Sequence, residues 1–416
     1  MNATVPAPRA TRLLDSRQAA ALLGIKLETL YAYVSRGLLK GRMATRGQGR
    51  RFHRDELEAL RARRSGAAAQ ALRYGEPVLE TRLTRMTPQG PAYRDRLATQ
   101  LAADGTPYEA VAEWLWSGDG PEAAPRWPAP GRWPQARLLL RLLPPGSPPL
   151  AALALALPAL AATDPLRFDT DPQALMARAR VLIPQLAAAV ALATDARRLA
   201  PALAAGDTVS ALAIALGVAP EPEALDLLRC ALVLCADHEL NASTFAARVA
   251  ASTGADLHAC LGAALAALSG PRHGGASEQV EQLMHEAGRP ARAAATVAAR
   301  LRRGERLPGF GHPLYPDGDP RAAMLMARAA ALGARQARLR TLLALADAMR
   351  DAGRPAPNLD VSLAATCAAL RLPPGMGPAL FALGRVAGWV AHVLEQQESG
   401  TVLRPRARYV GEATAR

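Results

Sequence analysis

Three stretches carry side chains that could do acid–base or carbonyl chemistry. The first, LPGFGHPLYPDGDPR at residues 307–321, sets His312 behind a Gly309-Phe310-Gly311 turn and delivers Arg321 after a rigid Pro-Asp-Gly-Asp-Pro segment. Glycine lets backbone approach a ligand closely, and proline holds a loop in one shape. An imidazole that can stay neutral, beside a permanent cation, suits an anionic carbonyl substrate. The competing reading is a structural turn with a surface histidine, because a lone His is a weak motif. The second, DHELNASTFAARVAASTGADLHACLGAALAALSGPRHGG at 237–275, puts His238 at a helix end and His273 where only glycine follows. The third, PAPNLDVSLAATC, places Asp360 after prolines and before an apolar helix. Asp360 is either a helix N-terminal carboxylate or a base.

The elements that must hold these residues are helices. Half of the 416 residues are hydrophobic, only 4% are aromatic, and Ala, Leu and Arg dominate. Ala and Leu favour helix, whereas strands draw on β-branched and aromatic residues. A helix from about Ser243 stops at Gly254, and Asp256 caps another that runs to Ser269-Gly270. Thr106–Trp116 reads as a helix, 118–150 as a Pro-rich loop, and 150–270 as a series of Ala/Leu helices. The best strand candidates lie at 72–96, around the Pro88-Gln89-Gly90-Pro91 turn.

The length allows two or three domains and a large core. The N-terminus lacks the apolar run of a secretory signal. The most membrane-like stretch, Leu138 to Ala162, is broken by Arg141 and by Pro144, Pro145, Pro148, Pro149 and Pro158, so a cytoplasmic protein without a membrane span is expected. Cys230, Cys235, Cys260 and Cys367 form no C-x-x-C pair and read as small apolar core residues. The seven histidines contain no H-x-x-x-H pair, so no metal is expected. His258, His285 and His392 read as structural or surface residues.

Charge is uneven. The chain carries 50 Lys/Arg against 36 Asp/Glu, a net +14, and the excess gathers in the first 64 residues. There Ser16 reads as an N-cap for a helix at Arg17–Leu23, Gly24-Ile25-Lys26 as a turn, and Leu27–Arg36 as a second helix stopped by Gly37. The basic, Gly-interrupted GRMATRGQGRRFHR fits a β-wing, and Asp55 with Glu58 fits a capping box for a following helix. Leu14 to Arg64 resembles the helix-turn-helix domains of the MerR and excisionase type. The resemblance implies DNA contact through the second helix (Lys26, Glu28, Thr29, Tyr31, Ser35, Arg36) and the wing (Arg46, Arg50, Arg51). The other reading of this domain is a structural appendage, since phosphate contacts need only basic residues.

DHELNAST, SGPRHGGASE, GFGHPLYPDGDPR, PNLD, FALGRVAGWVAH and RPRARYVG together, in this order and spacing, resemble citrate synthases over roughly residues 72–411. The resemblance implies a mainly α citrate synthase fold behind a small winged helix-turn-helix domain. Residues 1–12 read as a flexible tail and 13–66 as the helix-turn-helix domain, and the citrate synthase resemblance implies a large domain at 67–272 and 368–416 and a small domain at 273–367. It further implies a homodimer that closes over oxaloacetate before acetyl-CoA binds, with no cofactor beyond the acyl-CoA substrate. By this resemblance Asp360 is the base on the acyl-CoA methyl group, His273 the donor to the thioester oxygen, and His312 the acid on the ketone. His238, Arg321 and Arg385 would hold oxaloacetate and citrate, Arg404 would reach across the dimer interface, and the Leu307, Pro308, Gly309, Phe310 and Gly311 backbone would meet CoA. Three positions depart from the family's usual residues: Ser277 replaces an Asn, Val361 an aromatic residue, and Pro316 a basic one. They bear on acyl choice, so 2-methylcitrate synthesis from propionyl-CoA stands as an alternative. A DNA-binding regulator that senses metabolites through the synthase body is another.

Overall fold

The structure is a computed structural model that describes residues 13–23, 25–35, 39, 42–43, 50–54, 56–57, 79–120 and 125–406. It falls into two compact units, divided between Glu80 and Thr81.

In the first unit, β1 (Leu13–Asp15), β2 (Arg42–Met43) and β3 (Arg50–His53) form an antiparallel sheet with β3 at its centre. Helices Ser16–Leu23 and Leu27–Ser35 pack on it through buried Ala19, Leu23, Leu30 and Phe52. The two expected helices and two strands of the expected wing are present among the described residues, with one correction. The first helix is capped by Asp15, not Ser16: Asp15 Oδ1 accepts from the Gln18 N–H at 2.8 Å, and Gln18 Oε1 accepts from the Asp15 N–H at 3.1 Å. Reciprocal bonding of this kind satisfies two end groups, which Ser16 alone could not. Tyr31 and Arg50 are exposed, while Thr29 and Arg51 are partly buried. Gly24, Arg36, Gly37, Arg46 and the Asp55/Glu58 cap lie outside the described residues.

The second unit is helical apart from a small meander of β4 (Thr84–Thr87), β5 (Gly90–Tyr93) and β6 (Arg96–Leu97). The strand reading of 72–96 therefore holds for its second half, and 72–78 lies outside the described residues. The helix expected at Thr106–Trp116 runs Tyr108–Ser117, because Pro107 takes the extended N-cap position. The stretch 118–150 is not all loop. ARLLLRL forms a helix at Ala136–Leu142, anchored by buried Ala136 and Leu139, which shows helix propensity outweighing the flanking prolines. Pro158 breaks nothing either, since it sits inside the Pro149–Ala161 helix. By length and composition two other segments could cross a membrane, Pro172–Leu192 and Met376–Ser399, but both are largely buried in this protein's own core.

Met376–Ser399 is the central helix, buried without interruption from Met376 to Val393. Gly384 and Gly388 let helix Pro222–Cys235 press against it. A Cβ on Gly388 would stand 2.3 Å from the Ala236 carbonyl, and one on Gly384 2.6 Å from Cys235 Cβ. Real side chains cannot approach that closely, so only glycine permits this crossing. Arg385 lies between the two glycines. All four cysteines are buried, and burial pushes the Cys230, Cys235 and Cys260 thiols up to about 12, so they stay protonated.

Candidate active site

The tight crossing fixes one wall of the site. Arg385 Nε donates to the Cys235 carbonyl at 2.6 Å, and its guanidinium lies 4.6 Å from the Phe381 ring centroid. Its Nη1 is buried with no hydrogen-bond partner. Burial lowers the pKa of Arg385, yet a guanidinium stays charged in any protein. This is a desolvated cation with spare donors, the condition under which a carboxylate ligand gains most.

His238 follows two residues after Ala236 and faces the 307–321 loop. Its ring meets His312 edge-on at 5.3 Å, and its Nε2 lies 3.3 Å from the Tyr315 hydroxyl. Tyr315 also stacks on His312 at 4.8 Å and lies under Arg321 at 5.8 Å. Arg321 is fixed by a bidentate pair with Asp319, at 3.0 and 2.7 Å. Asp319 also caps helix Pro320–Gly333 by accepting from the Arg321 N–H. Burial alone would push the Asp319 carboxyl up, but the Arg321 charge outweighs it and holds Asp319 ionised. Burial lowers the pKa of both His238 and His312, and the Arg321 cation adds to the effect, so both rings are neutral. The Leu314 N–H donates to His312 Nδ1 at 3.2 Å, which leaves the ring proton on Nε2 as a free donor.

His273 sits on the turn between helices Leu257–Leu268 and Ala276–Ala287, and lies edge-on to Phe381 at 5.7 Å. Burial, with the nearby Arg385 charge, pulls its pKa down to about 4. Its Nε2 lies 2.8 Å from Ser243 Oγ. That hydroxyl donates to Asn241 Oδ1 at 2.7 Å and accepts from Trp389 Nε1 at 3.3 Å. With its one proton given to Asn241, Ser243 can only accept from His273, which places the ring hydrogen on Nε2.

Asp360 is not the cap of its helix. Asn358 is: its side chain accepts the Asp360 N–H at 2.9 Å, which leaves the Asp360 carboxylate out of the cap. Burial pushes that carboxyl up to about 6, and the nearby Ser277 hydroxyl and Arg321 charge oppose the rise. The 309–311 turn is laced to the segment before Asp360. Gly311 N–H donates to Ala356 O and Asn358 N–H donates to Gly309 O, each at 2.8 Å, and Asn358 Nδ2 donates to Gly311 O at 3.2 Å. Three of the backbone groups expected to meet CoA, on Gly309 and Gly311, are therefore already paired, and Pro308 and Phe310 are part-exposed beside them.

Gly309 has φ +80°, and a Cβ there would lie 2.5 Å from Val280 Cγ2 and 2.6 Å from Val361 Cγ2. Gly309→Ala should destabilise the fold by about 1–3 kcal/mol. It should also lower turnover, because Val361 adjoins Asp360. Denaturant unfolding and a turnover assay check this; unchanged stability would mean that the turn yields freely.

Of the residues singled out in the sequence, His238, His312 and Arg321 form one contacting group, and His273 and Arg385 meet through Phe381. Asp360 joins through Ser277, whose hydroxyl lies 3.3 Å from Asp360 Oδ1 and 3.0 Å from the Gly274 carbonyl beside His273. Arg404 stands apart and exposed, on a segment held to helix Ala242–Ser252 by Leu403 N–H donating to Ser252 Oγ at 3.1 Å. Sequence reasoning missed Ser243, Asp319, Tyr315, Phe381 and Trp389 as site members. It also missed the buried network behind His238, in which His392 Nε2 lies 3.4 Å from Asp237 and Arg248 bonds Gln396 and Glu395. Among the described residues no three His, Cys, Asp or Glu side chains are grouped to hold a metal ion.

Residues 72–406 match the family model for the citrate synthase C-terminal domain, and residues 13–65 match a helix-turn-helix domain. A citrate synthase of Mycolicibacterium smegmatis is 33% identical over 356 residues, covering 81% of this chain and 94% of that protein. A 2-methylcitrate synthase of Mycobacterium tuberculosis is 32% identical over 353 residues, covering 81% and 89%. A putative citrate synthase 2 of the same organism is 42% identical over 198 residues, 46% of this chain, and there the match spans about half of the relative, 53% of its length. Among solved structures, the citrate synthase of Thermoplasma acidophilum in ternary complex with carboxymethyl coenzyme A and oxaloacetate superposes with a TM-score of 0.71 at 28% identity, over 82% of this chain and 95% of that one. By the span of the family model and by these full-length likenesses, the chain belongs to the citrate synthase family.

Proposed function

We propose that the chain condenses an acyl-CoA with oxaloacetate, acetyl-CoA giving citrate and free CoA. The observation that carries this is a part-buried Asp360 carboxylate that no cation bonds, joined through Ser277 to the turn that holds His273 and lying in the field of buried Arg321. A thioester α-proton is far less acidic than a carboxyl group, so Asp360 can remove it only if the forming enol oxygen is stabilised at once. His273 supplies that donor through its ring N–H, on a ring that Ser243 positions. His312 Nε2–H polarises the ketone and gives it a proton as the carbon–carbon bond forms. Arg321, Arg385 and His238 hold the dicarboxylate, for which guanidinium forks are suited. In this reading Arg404 completes the site of a second subunit in a homodimer. Closure of 273–367 over the rest of the body excludes water until the thioester of the product is hydrolysed.

A pH dependence follows. Asp360 acts as a base only when ionised, and its carboxyl sits near 6, so turnover should fall as pH drops through about 6. The histidines do not oppose this, since His273 stays neutral down to about 4. A kcat–pH profile checks the sign; activity that rises toward pH 5 contradicts it.

The deciding experiment is release of CoA thiol with oxaloacetate and a series of acyl-CoAs. Absence of thiol release with acetyl-CoA and propionyl-CoA alike would sink the proposal. The kcat/KM ratio of the two separates citrate from 2-methylcitrate synthesis, a choice in which one methylene carries only about 1–3 kcal/mol. A second reading rests on the helix-turn-helix unit with exposed Arg50 on its β3 strand. In it the same chain binds DNA through that unit and answers to oxaloacetate or CoA. Binding to genomic fragments that weakens steeply with salt supports it; salt-insensitive or absent binding reduces the unit to an appendage.

A further inference from the structure

We propose that Ser277 is a positioning residue for the base, a hydroxyl that reverses its hydrogen bond to Asp360 as Asp360 gains and loses the substrate proton. This rests on the reading of Asp360 as the base. Ser277 lies in the first turn of helix Ala276–Ala287 and is 2% exposed. Its Oγ has two acceptors within reach, Asp360 Oδ1 at 3.3 Å and the Gly274 carbonyl at 3.0 Å. It cannot be displaced easily, because it is backed by Gly377, where a Cβ would stand 3.0 Å from Ser277 Cβ.

One hydroxyl proton cannot serve two acceptors fully. A hydroxyl has both a donor and acceptor lone pairs, which gives two satisfied arrangements. With Asp360 ionised, Ser277 donates to Oδ1. When Asp360 has taken the proton from the acyl carbon, the new carboxyl O–H donates to Ser277 Oγ, and Ser277 turns its own proton to the Gly274 carbonyl. No proton is lost or gained beyond the one moved from carbon to carboxylate. Neither state leaves a buried polar group unpaired, which would otherwise cost free energy at each turnover. Gly274 is the residue after His273, so the turned hydroxyl also ties the base to the backbone of the enol-side donor. The other charges that act on Asp360 are Arg321, which favours its ionised form, and Asp319, which opposes it. Neither can change its hydrogen-bonding sense, since a guanidinium only donates and the Asp319 oxygens are taken by Arg321.

The test is Ser277→Ala with Ser277→Cys beside it, in the full chain. Losing a donor that supports the carboxylate should shift the acid limb of kcat upward by about half to one pH unit. The primary isotope effect with methyl-deuterated acetyl-CoA should rise, and KM for oxaloacetate should stay within about two-fold of wild type. Ser277→Cys, which keeps a weak donor of similar shape, should fall between the two. Titration of the Asp360 carboxyl by ¹³C NMR, assigned with Asp360→Asn, reads the same shift without turnover. A Ser277→Ala profile and titration that overlay wild type overturn the proposal. So does a loss confined to thermal stability or to oxaloacetate KM. Absence of thiol release by the wild type would instead overturn the reading of Asp360 as a base, and this proposal with it.

Discussion

Asp360→Asn should lower kcat by roughly 10³–10⁴-fold while leaving the affinity for oxaloacetate almost unchanged. The substitution keeps the shape of the side chain and replaces an oxygen that can take a proton with an amide nitrogen that cannot. The helix start survives, because its cap is Asn358 accepting the backbone N–H of residue 360, not the side chain at 360. Ser277 still finds a carbonyl oxygen to donate to. Removing a negative charge that Arg321 feels makes the dicarboxylate pocket no less positive. Single-turnover thiol release and calorimetric binding of oxaloacetate separate the two quantities. Turnover within ten-fold of wild type would show that the base lies elsewhere.

Arg321→Ala should fail in a different way. Its side chain is 3% exposed and that of Asp319 is 0%, so the substitution strands a carboxylate in the core. Breaking a buried pair from one side costs about 3–5 kcal/mol, because the remaining charge has lost both solvent and partner. A large drop in Tm should therefore accompany the loss of oxaloacetate binding. Arg385→Met makes the contrast. Arg385 has no carboxylate bonded to it, and its Nη1 is unpartnered. Replacement of Arg385 by an apolar chain loses the Cys235 carbonyl bond and a charge that favours ionised Asp237, but strands no bonded carboxylate, so Tm should fall less than in Arg321→Ala while oxaloacetate affinity falls roughly 100-fold or more. Adding Asp319→Asn to Arg321→Ala should restore much of the stability and none of the binding. Equal melting of Arg321→Ala and wild type would remove the structural half of this argument.

The parts of this site that could be read in the sequence were those whose residue type already limits their use. Histidine before glycine, arginine after Asp-Pro, and aspartate at a proline-led helix start each narrow the chemistry before any fold is known. What could not be read were partners joined only by packing. Ser243 lies thirty positions before His273 in the chain and meets it only because helices Ala242–Ser252 and Leu257–Leu268 are folded back on each other. Phe381 and Trp389 are unremarkable apolar residues until the central helix turns them inward. Asp319 did carry a signal, since Asp before Pro at a helix start is a cap, but nothing local says that the same carboxylate also grips Arg321. That the chain is mainly helical was legible in its composition, and the fold itself only through the resemblance that its motifs carry together. The misreadings were local contests: Asp15 against Ser16 for one cap, and ARLLLRL against its neighbouring prolines for one helix.

The lacing of 309–311 to 356–358 has a consequence for inheritance. Two stretches almost fifty residues apart in the chain behave as one part, because main-chain bonds and the Gly309–Val361 contact join them. Exchanging the 307–321 loop alone with a relative, to change acyl preference, would place a foreign turn against the native Val361 and tilt the helix that carries Asp360. Exchanging 307–321 together with 355–361 would carry the fit across intact. A chimera that moves only one of the two should turn over more slowly than either parent, and one that moves both should recover.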